Sequence, residues 1–457
     1  MLRVAVIGSG PSGVYTAQSL IEQQAVPDIE VYVLDRLPCP YGLVRYGVAP
    51  DHEKIKSLQN NLRTVLEHPR VHFLGNVEAG APGLGVEELR EIFDAVVFCV
   101  GAATDRHLGI PGEELPGSHP ATEFVAWYSA HPDAAAVRFT LAARSAVVIG
   151  VGNVAVDVVR MLARGAAELA ATDMPQGPLG ALADSSVEDV WMVGRRGPSQ
   201  AKFTTKELRE LGSLPDTEVC VRPEELALDP AYRDPGELPA VARRNVAVLR
   251  DWAERTAAGP ADAGSAARAR RRIHLRFFLR PAEVLGDASG VRAVRFERTA
   301  PDGRGGVRGT GEFEDIQGQL VLRSVGYRGT PQPGLPFDEA TGTVPHLAGR
   351  VLRDGAPLPG VYVAGWIKRG PTGVIGTNRP CAKETASSLL ADAPMLAERP
   401  TAGDPVPALA RAGQRPVPWP GWLAIEAAEA AWGHGLGRGT VKLPDWAGLL
   451  AAAQANG

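Results

Sequence analysis

The sequence predicts an α/β fold with parallel-sheet domains, on three observations. Residues 3–7 (RVAVI) run into Gly8-Ser-Gly10-Pro-Ser12-Gly13 and then a helical pattern from Val14 to about Gln24. Residues 145–149 (SAVVI) repeat that grammar ahead of Gly150-Val151-Gly152-Asn153-Val154-Ala155, and a second helix follows with Asp157 on it. A third apolar run, Val361 to Ala364, ends in Gly365 and a basic, glycine-rich turn from Trp366 to Asn378. A short apolar run closed by glycine and continued by a helical period reads as strand, tight bend, helix. The third run organises the rest, because one bound ligand touching all three turns would tie the chain together.

Length and composition bound the answer. At 457 residues the chain is too long for one ordinary core, so two or more domains are expected. Hydrophobic and charged fractions of 45% and 22% are those of a soluble globular protein. A net charge of −4 gives no support for bulk nucleic-acid binding. No charged segment followed by an apolar stretch opens the sequence, and no apolar run reaches a membrane span, so the expected location is cytoplasmic. Cys39, Cys99, Cys220 and Cys381 are far apart, which excludes a CxxC dithiol and any clustered iron–sulfur or zinc ligand set. No metal site is expected.

The first glycine turn has the context of a dinucleotide site. A second strand, Ile29 to Leu34, ends in Asp35, about 20 residues past the last glycine, where an acid accepts from ribose hydroxyls. Gly8 makes the bend, Gly10 lets backbone approach a pyrophosphate, and Gly13 lets helix and strand pack closely. Residues 36–56 then read as an ordered loop by their prolines and glycines, with Arg45, Asp51, His52, Lys54 and Lys56 as polar members. A helix is expected over 57–68, short strands over 71–73 and 76–79, and a buried strand over 94–100. A domain crossing is expected around 105–117.

The second turn differs where it matters. Its partner strand, 189–193, ends in Gly194-Arg195-Arg196 instead of an acid. Two guanidinium groups there suit a 2′-phosphate, so NADP is favoured over NAD. Residues 199–211 are expected to start a helix capped by Thr204 or Thr205, with Glu207 near its first turn. One helix is expected around 240–256 and strands over 273–279, 291–297 and 320–325. Arg243, Arg244, Arg268, Arg270, Arg271 and Arg272 make a basic stretch, readable as solvated surface or as a docking patch for an acidic partner. The tail has a helix near 423–432, with Trp419, Trp422, Trp432 and Trp446 as packing anchors.

One site with a ribose acid and one with an arginine pair suggest FAD plus NADP, on two Rossmann-like dinucleotide-binding domains. With no dithiol in the chain, electrons must leave the flavin for an external acceptor.

GSGPSG at 8–13, YGLVRYGVAPDH at 41–52, GNVAVD at 152–157, VGRRGP at 193–198, FTTKELREL at 203–211 and AGWIKRGPTGVIGTN at 364–378 resemble ferredoxin–NADP reductases of the adrenodoxin reductase type, over essentially the whole length. The resemblance implies a glutathione-reductase-like architecture, with an FAD domain of residues 1–104 and 331–457 and an inserted NADP domain of 105–330. It places FAD contacts on Gly8, Gly10, Ser12, Gly13, Asp35, Leu43, Ala79, Gly365, Trp366, Gly373, Val374 and Ile375. It places NADP contacts on Gly152 to Val154, Arg195, Arg196, Glu207 and Gly373, with Gly150 and Val151 added as the start of the same glycine turn. His52, Asp157 and Glu210 fall on groups at the nicotinamide. The ribose acid is commonly Glu in the family; Asp35 is one methylene shorter, so its contact is expected to be longer or water-mediated. The partner implied is a ferredoxin, an acidic iron–sulfur protein, approached by a monomer. A flavin oxidoreductase acting on a quinone or other small acceptor is the alternative. A third possibility, a subunit like those of glutamate synthase, would need cysteine-rich segments that this sequence lacks.

Overall fold

A computed structural model describes residues 1–139, 141–258, 271–398 and 403–455. They form two compact units. Met1–Thr104, Ser129–Ala135 and Gly326–Gly457 make the first; Asp105–Tyr128 and Ala136–Val325 make the second.

The first unit is built on an eight-stranded sheet. Its order is His346–Leu347, Arg350–Arg353, Ala356–Val363, Ala95–Phe98, Leu2–Ile7, Ile29–Leu34, Val71–Gly75, Val417–Pro418. The five central strands pair in parallel, and the rims are antiparallel. Strands buried on both faces must be apolar throughout, and LRVAVI and IEVYVL nearly are. Along Leu2–Ile7, Val4 and Val6 enter one apolar cluster while Ala5 and Ile7 enter another, as period-two alternation requires. Helices Pro11–Ile21 and Asn378–Leu396 cover the first face together with the tail helices Trp419–Gly435 and Trp446–Gln454. Trp422 is 1% exposed there, and Trp419 and Trp446 pack against the same cluster, so these indoles anchor the tail.

The second unit has a six-stranded parallel sheet in the order Ser118–Pro120, Leu320–Arg323, Ser145–Ile149, Asp189–Val193, Arg271–Arg276, Thr217–Val221. A three-stranded antiparallel sheet, Leu279–Asp287, Gly290–Pro301 and Val307–Gln317, buries Val284, Val294, Phe296 and Ile316 against Val147, Ile149 and Val193. The fold is thus α/β with two Rossmann-like parts.

Several local expectations are corrected. Residues 76–79 are not a strand: Asn76 has φ +57°, and the Val77 N–H bonds back to the Asp35 carbonyl, so the chain turns instead of extending. The loop 36–56 contains two single helical turns, Leu43–Tyr46 and Glu53–Lys56, too short to leave a periodic pattern. The first glycine-turn helix begins at Pro11, three residues early, because proline is at home in a first turn. The tail helix runs from Trp419 to Gly435, longer than expected, with Pro420 likewise in its first turn. Strands Leu279–Asp287 and Val307–Gln317 were not read from the sequence; VRGTGEFEDIQ is mostly exposed and carries little apolar signal.

Candidate functional site

In the first unit the glycine turn is shaped by close approaches. A Cβ on Gly13 would lie 1.8 Å from the Gly8 carbonyl oxygen, so no other residue lets helix Pro11–Ile21 sit this close to its strand. Gly42 has φ +49°, and a Cβ on it would lie 2.9 Å from the Gly10 Cα. The 41–52 loop therefore lies directly on the turn. No side chain caps helix Pro11–Ile21 and its first turn holds no acid, so its leading N–H groups are open to an anion. Ser12 Oγ is buried without a hydrogen-bond partner among the described residues, next to Gly365.

Asp35 has work within the protein. Its Oδ2 accepts from the Ser9 N–H at 2.8 Å and from the Ser9 hydroxyl, and its Oδ1 accepts from the Leu37 N–H at 2.9 Å. Burial raises its pKa, against these hydrogen bonds, which lower it. The short acid thus clamps the glycine turn to the strand end, and a ribose hydroxyl would share oxygens already engaged.

The other expected flavin residues belong to the same unit. Leu43 and Val374 are 40% and 63% exposed, unusual for large apolar side chains. Ala79 and Ile375 pack at the edges of the two apolar clusters. The Trp366 ring lies 5.3 Å from Tyr327, and the Gly365 N–H donates to Cys381 Sγ at 3.3 Å. Gly373 (φ +81°) sits against Thr377, whose Oγ1 accepts from the Val374 N–H. His52, readable as a solvated loop residue, is instead 6% exposed, just ahead of helix Glu53–Lys56. Arg45 is also buried: it pairs with Glu429 at 2.5 Å and stacks on Tyr46 and Trp422. Burial pushes the Cys39 and Cys99 thiols up to about 11 and about 12, which disfavours the thiolate at neutral pH.

The second unit repeats the scheme with different electrostatics. Helix Asn153–Ala163 starts after Gly152 with no side-chain cap and no acid in its first turn. A Cβ on Gly152 would meet nothing within 4 Å, whereas Gly150 closes on the Ser324 carbonyl and Gly194 on Val151. Asn153, expected at the cofactor, accepts through Oδ1 from the Thr204 N–H at 2.8 Å and so joins the turn to the next helix. Thr204 is the residue before helix Thr205–Leu211, but its hydroxyl makes no capping bond. Val154 is half-buried in the first turn. Arg195 is exposed and Arg196 half-exposed, and neither forms an ion pair among the described residues. Glu207 Oε2 and Thr205 Oγ1 are buried without a hydrogen-bond partner among the described residues. A buried carboxylate oxygen with no donor is costly, and a ligand hydroxyl or amide would satisfy it. Asp157 and Glu210 come together around Arg160, at 2.8 and 3.7 Å.

The basic stretch divides. Arg243 and Arg244 are exposed on helix Ala240–Ala258, as is Arg209 on its own helix. Arg268 and Arg270 lie outside the described residues. Arg271 and Arg272 are structural, which corrects their assignment to the patch. The Arg271 guanidinium is buried on the carbonyls of Ala163, Arg164 and Val187, and Arg272 is bidentate to Asp189 at 2.8 Å. The Arg272 pair ties two adjacent parallel strands, and the Arg271 bonds tie its strand to the end of helix Asn153–Ala163. One cluster of His107, Glu113 and Glu114 has metal-like spacing, but Arg323 already lies 3.5 and 3.3 Å from the two glutamates. No described helix is long and apolar enough to cross a membrane.

Two uncapped glycine-turn helices, an orphaned hydroxyl beside the first and an orphaned carboxylate beside the second fit a protein that binds FAD and NADP(H). Residues 2–192 match the pyridine nucleotide-disulphide oxidoreductase family. The chain is 43% identical to the NADPH-ferredoxin reductase FprA of Mycobacterium tuberculosis, covering 98% of both chains. It is 41% identical to the mitochondrial NADPH:adrenodoxin oxidoreductase of Homo sapiens, over 97% of this chain and 90% of that one. A solved structure of M. tuberculosis FprA in complex with NADPH superposes with a TM-score of 0.90 at 42% identity, covering 99% of each chain. The chain belongs to the NADPH-ferredoxin and adrenodoxin reductase family.

Proposed function

We infer that this protein is an NADPH-dependent flavoprotein reductase that passes electrons through FAD to a ferredoxin-type iron–sulfur protein. The observation that carries the reading is at the second glycine turn: two arginines without ion pairs, where the first turn has an acid. FAD, when bound, supplies the link between a two-electron hydride donor and a one-electron acceptor. The chain's own residues bind, orient and shield.

In this reading the first unit is the FAD domain and the inserted second unit the NADP domain. The first-turn N–H groups after Gly10, with Ser12, take the flavin pyrophosphate. Asp35 takes the ribose while bracing Ser9, and Leu43, Ala79, Gly365, Trp366, Gly373, Val374 and Ile375 line the rest. Arg195 and Arg196 take the 2′-phosphate, the turn Gly150–Val154 takes the second pyrophosphate, and Glu207 accepts from the nucleotide. His52, Asp157 and Glu210 stand at the nicotinamide and hold it in line. The iron–sulfur partner is acidic and docks on the surface carrying Arg209, Arg243 and Arg244. The four free cysteines suit a reducing, cytoplasmic setting. We take the working unit to be a monomer.

Steady-state kinetics of Arg195→Ala/Arg196→Ala tests the coenzyme assignment. Each lost charge-assisted hydrogen bond is worth roughly 1.5–3 kcal/mol. The KM for NADPH is therefore expected to rise tens-fold or more while that for NADH barely moves. An unchanged NADPH/NADH preference would remove the 2′-phosphate from this site.

A further inference from the structure

Helix Asn153–Ala163 carries a buried cation that the sequence did not single out. Arg160 is 3% exposed. Its Nη2 lies 2.8 Å from Asp157 Oδ1, one turn back on the same helix, and its Nε lies 3.7 Å from Glu210 Oε2 on helix Thr205–Leu211. The two acids keep 14% and 27% of their side-chain surface exposed. The guanidinium is therefore more deeply buried than either carboxylate it pairs with. Lys206, one turn before Glu210 and 56% exposed, lies 3.6 Å from its other carboxylate oxygen, Oε1.

The geometry follows from the sequence in two steps. A spacing of three on a helix places Asp157 and Arg160 on one face. The Asn153–Thr204 bond then fixes the start of the second helix beside the first, which brings Glu210 to the same guanidinium. Arginine suits this post. Its donors radiate from a rigid plane, so one side chain can hold two carboxylates in set directions, whereas an ammonium is a single point charge on a flexible stem.

We propose that Arg160 is a positioning residue for hydride exchange, keeping Asp157 and Glu210 correctly aimed at the nicotinamide. The proposal rests on the reading above that these two acids face that ring. Arg160, buried at 3% exposure, acts through the carboxylates. Without it, the two acids would lose the guanidinium they share, and with it their aim. Misplacement by 1 Å costs about 100-fold in a reaction that depends on alignment.

The test uses the FAD-loaded enzyme and rapid mixing with NADPH, following flavin bleaching, with NADP binding and FAD content measured alongside. Arg160→Met is expected to slow bleaching at saturating NADPH by about 10-fold or more while NADP affinity stays within about two-fold, a split between rate and binding. Arg160→Lys keeps the charge but not the fork and is expected to fall between Arg160→Met and the unsubstituted enzyme. Adding Arg160→Met to Asp157→Asn/Glu210→Gln should slow bleaching no further, because nothing remains to be aimed. Equal slowing by Arg160→Met in both backgrounds would make Arg160 a general structural brace and overturn the proposal. A full rate in Arg160→Lys would also overturn it, and that variant decides the matter if Arg160→Met does not accumulate. If Asp157→Asn/Glu210→Gln bleaches at the full rate, the reading of the two acids falls and this proposal with it. If that variant is slow while Arg160→Met is not, only the role of Arg160 falls.

Discussion

His52 and Arg45 lie seven residues apart in one loop and show what a sequence can and cannot say about single residues. Both read as polar members of an irregular segment, with no period to mark a buried face. The structure buries both, His52 at 6% and Arg45 at 5% exposure. Burial of Arg45 depends on Glu429, nearly the whole chain away, and no local pattern announces a partner at that distance. Glycines were legible because their reasons are local: the contacts of Gly13 and Gly42 are set by backbone within the turn and its covering loop. Asp35 was legible as a carboxylate at the strand end, but its bonds to Ser9 and Leu37 were not. At this scale the account predicts that His52→Gln slows flavin bleaching by NADPH while NADP affinity changes little. Rapid mixing checks it; an unchanged rate at full FAD content would leave His52 as a brace for its loop.

The strands and helices that position the sites were legible wherever an apolar run met a glycine turn. Elements failed where that signal was absent or overridden. Val307–Gln317 pairs through its backbone while exposing most of its side chains, so it lacks alternation. Residues 76–79 looked extended by composition, and the turn at Asn76 ends the strand instead. The helix Trp419–Gly435 was placed, but not its purpose. Glu429 on it pairs with Arg45 and accepts from the Leu443 N–H at 2.9 Å, while Lys442 Nζ donates to the Arg45 carbonyl at 2.6 Å. The tail thereby pins the 41–52 loop from below. Breaking a buried pair by removing one partner costs about 3–5 kcal/mol. Glu429→Gln should therefore lower the unfolding free energy by about that much, and FAD should be lost more readily from the loosened loop. Denaturant unfolding and the FAD-to-protein absorbance ratio measure both. A variant with unaltered stability and FAD retention would show that the tail does not support the loop.

For the whole molecule, three exposed arginines stand out on a chain whose net charge is −4. Arg209, Arg243 and Arg244 supply local positive charge, so encounter with an acidic iron–sulfur protein should be steered electrostatically and slow steeply as salt rises. Charge reversal at Arg243 and Arg244 should reduce the ferredoxin rate and flatten its salt dependence, leaving reduction of a neutral quinone unchanged. If both the ferredoxin rate and its salt slope survive the reversal, those arginines are ordinary solvated surface. The central claim is electron flow from NADPH through FAD to a ferredoxin, and one anaerobic stopped-flow experiment tests it most directly. The enzyme is reduced with NADPH, then mixed with an acidic ferredoxin or with a neutral quinone at equal concentration. The account predicts prompt bleaching by NADPH but not NADH, followed by flavin reoxidation that is faster with ferredoxin than with quinone at low salt. Reoxidation by quinone alone, or equal bleaching by NADH and NADPH, would contradict it.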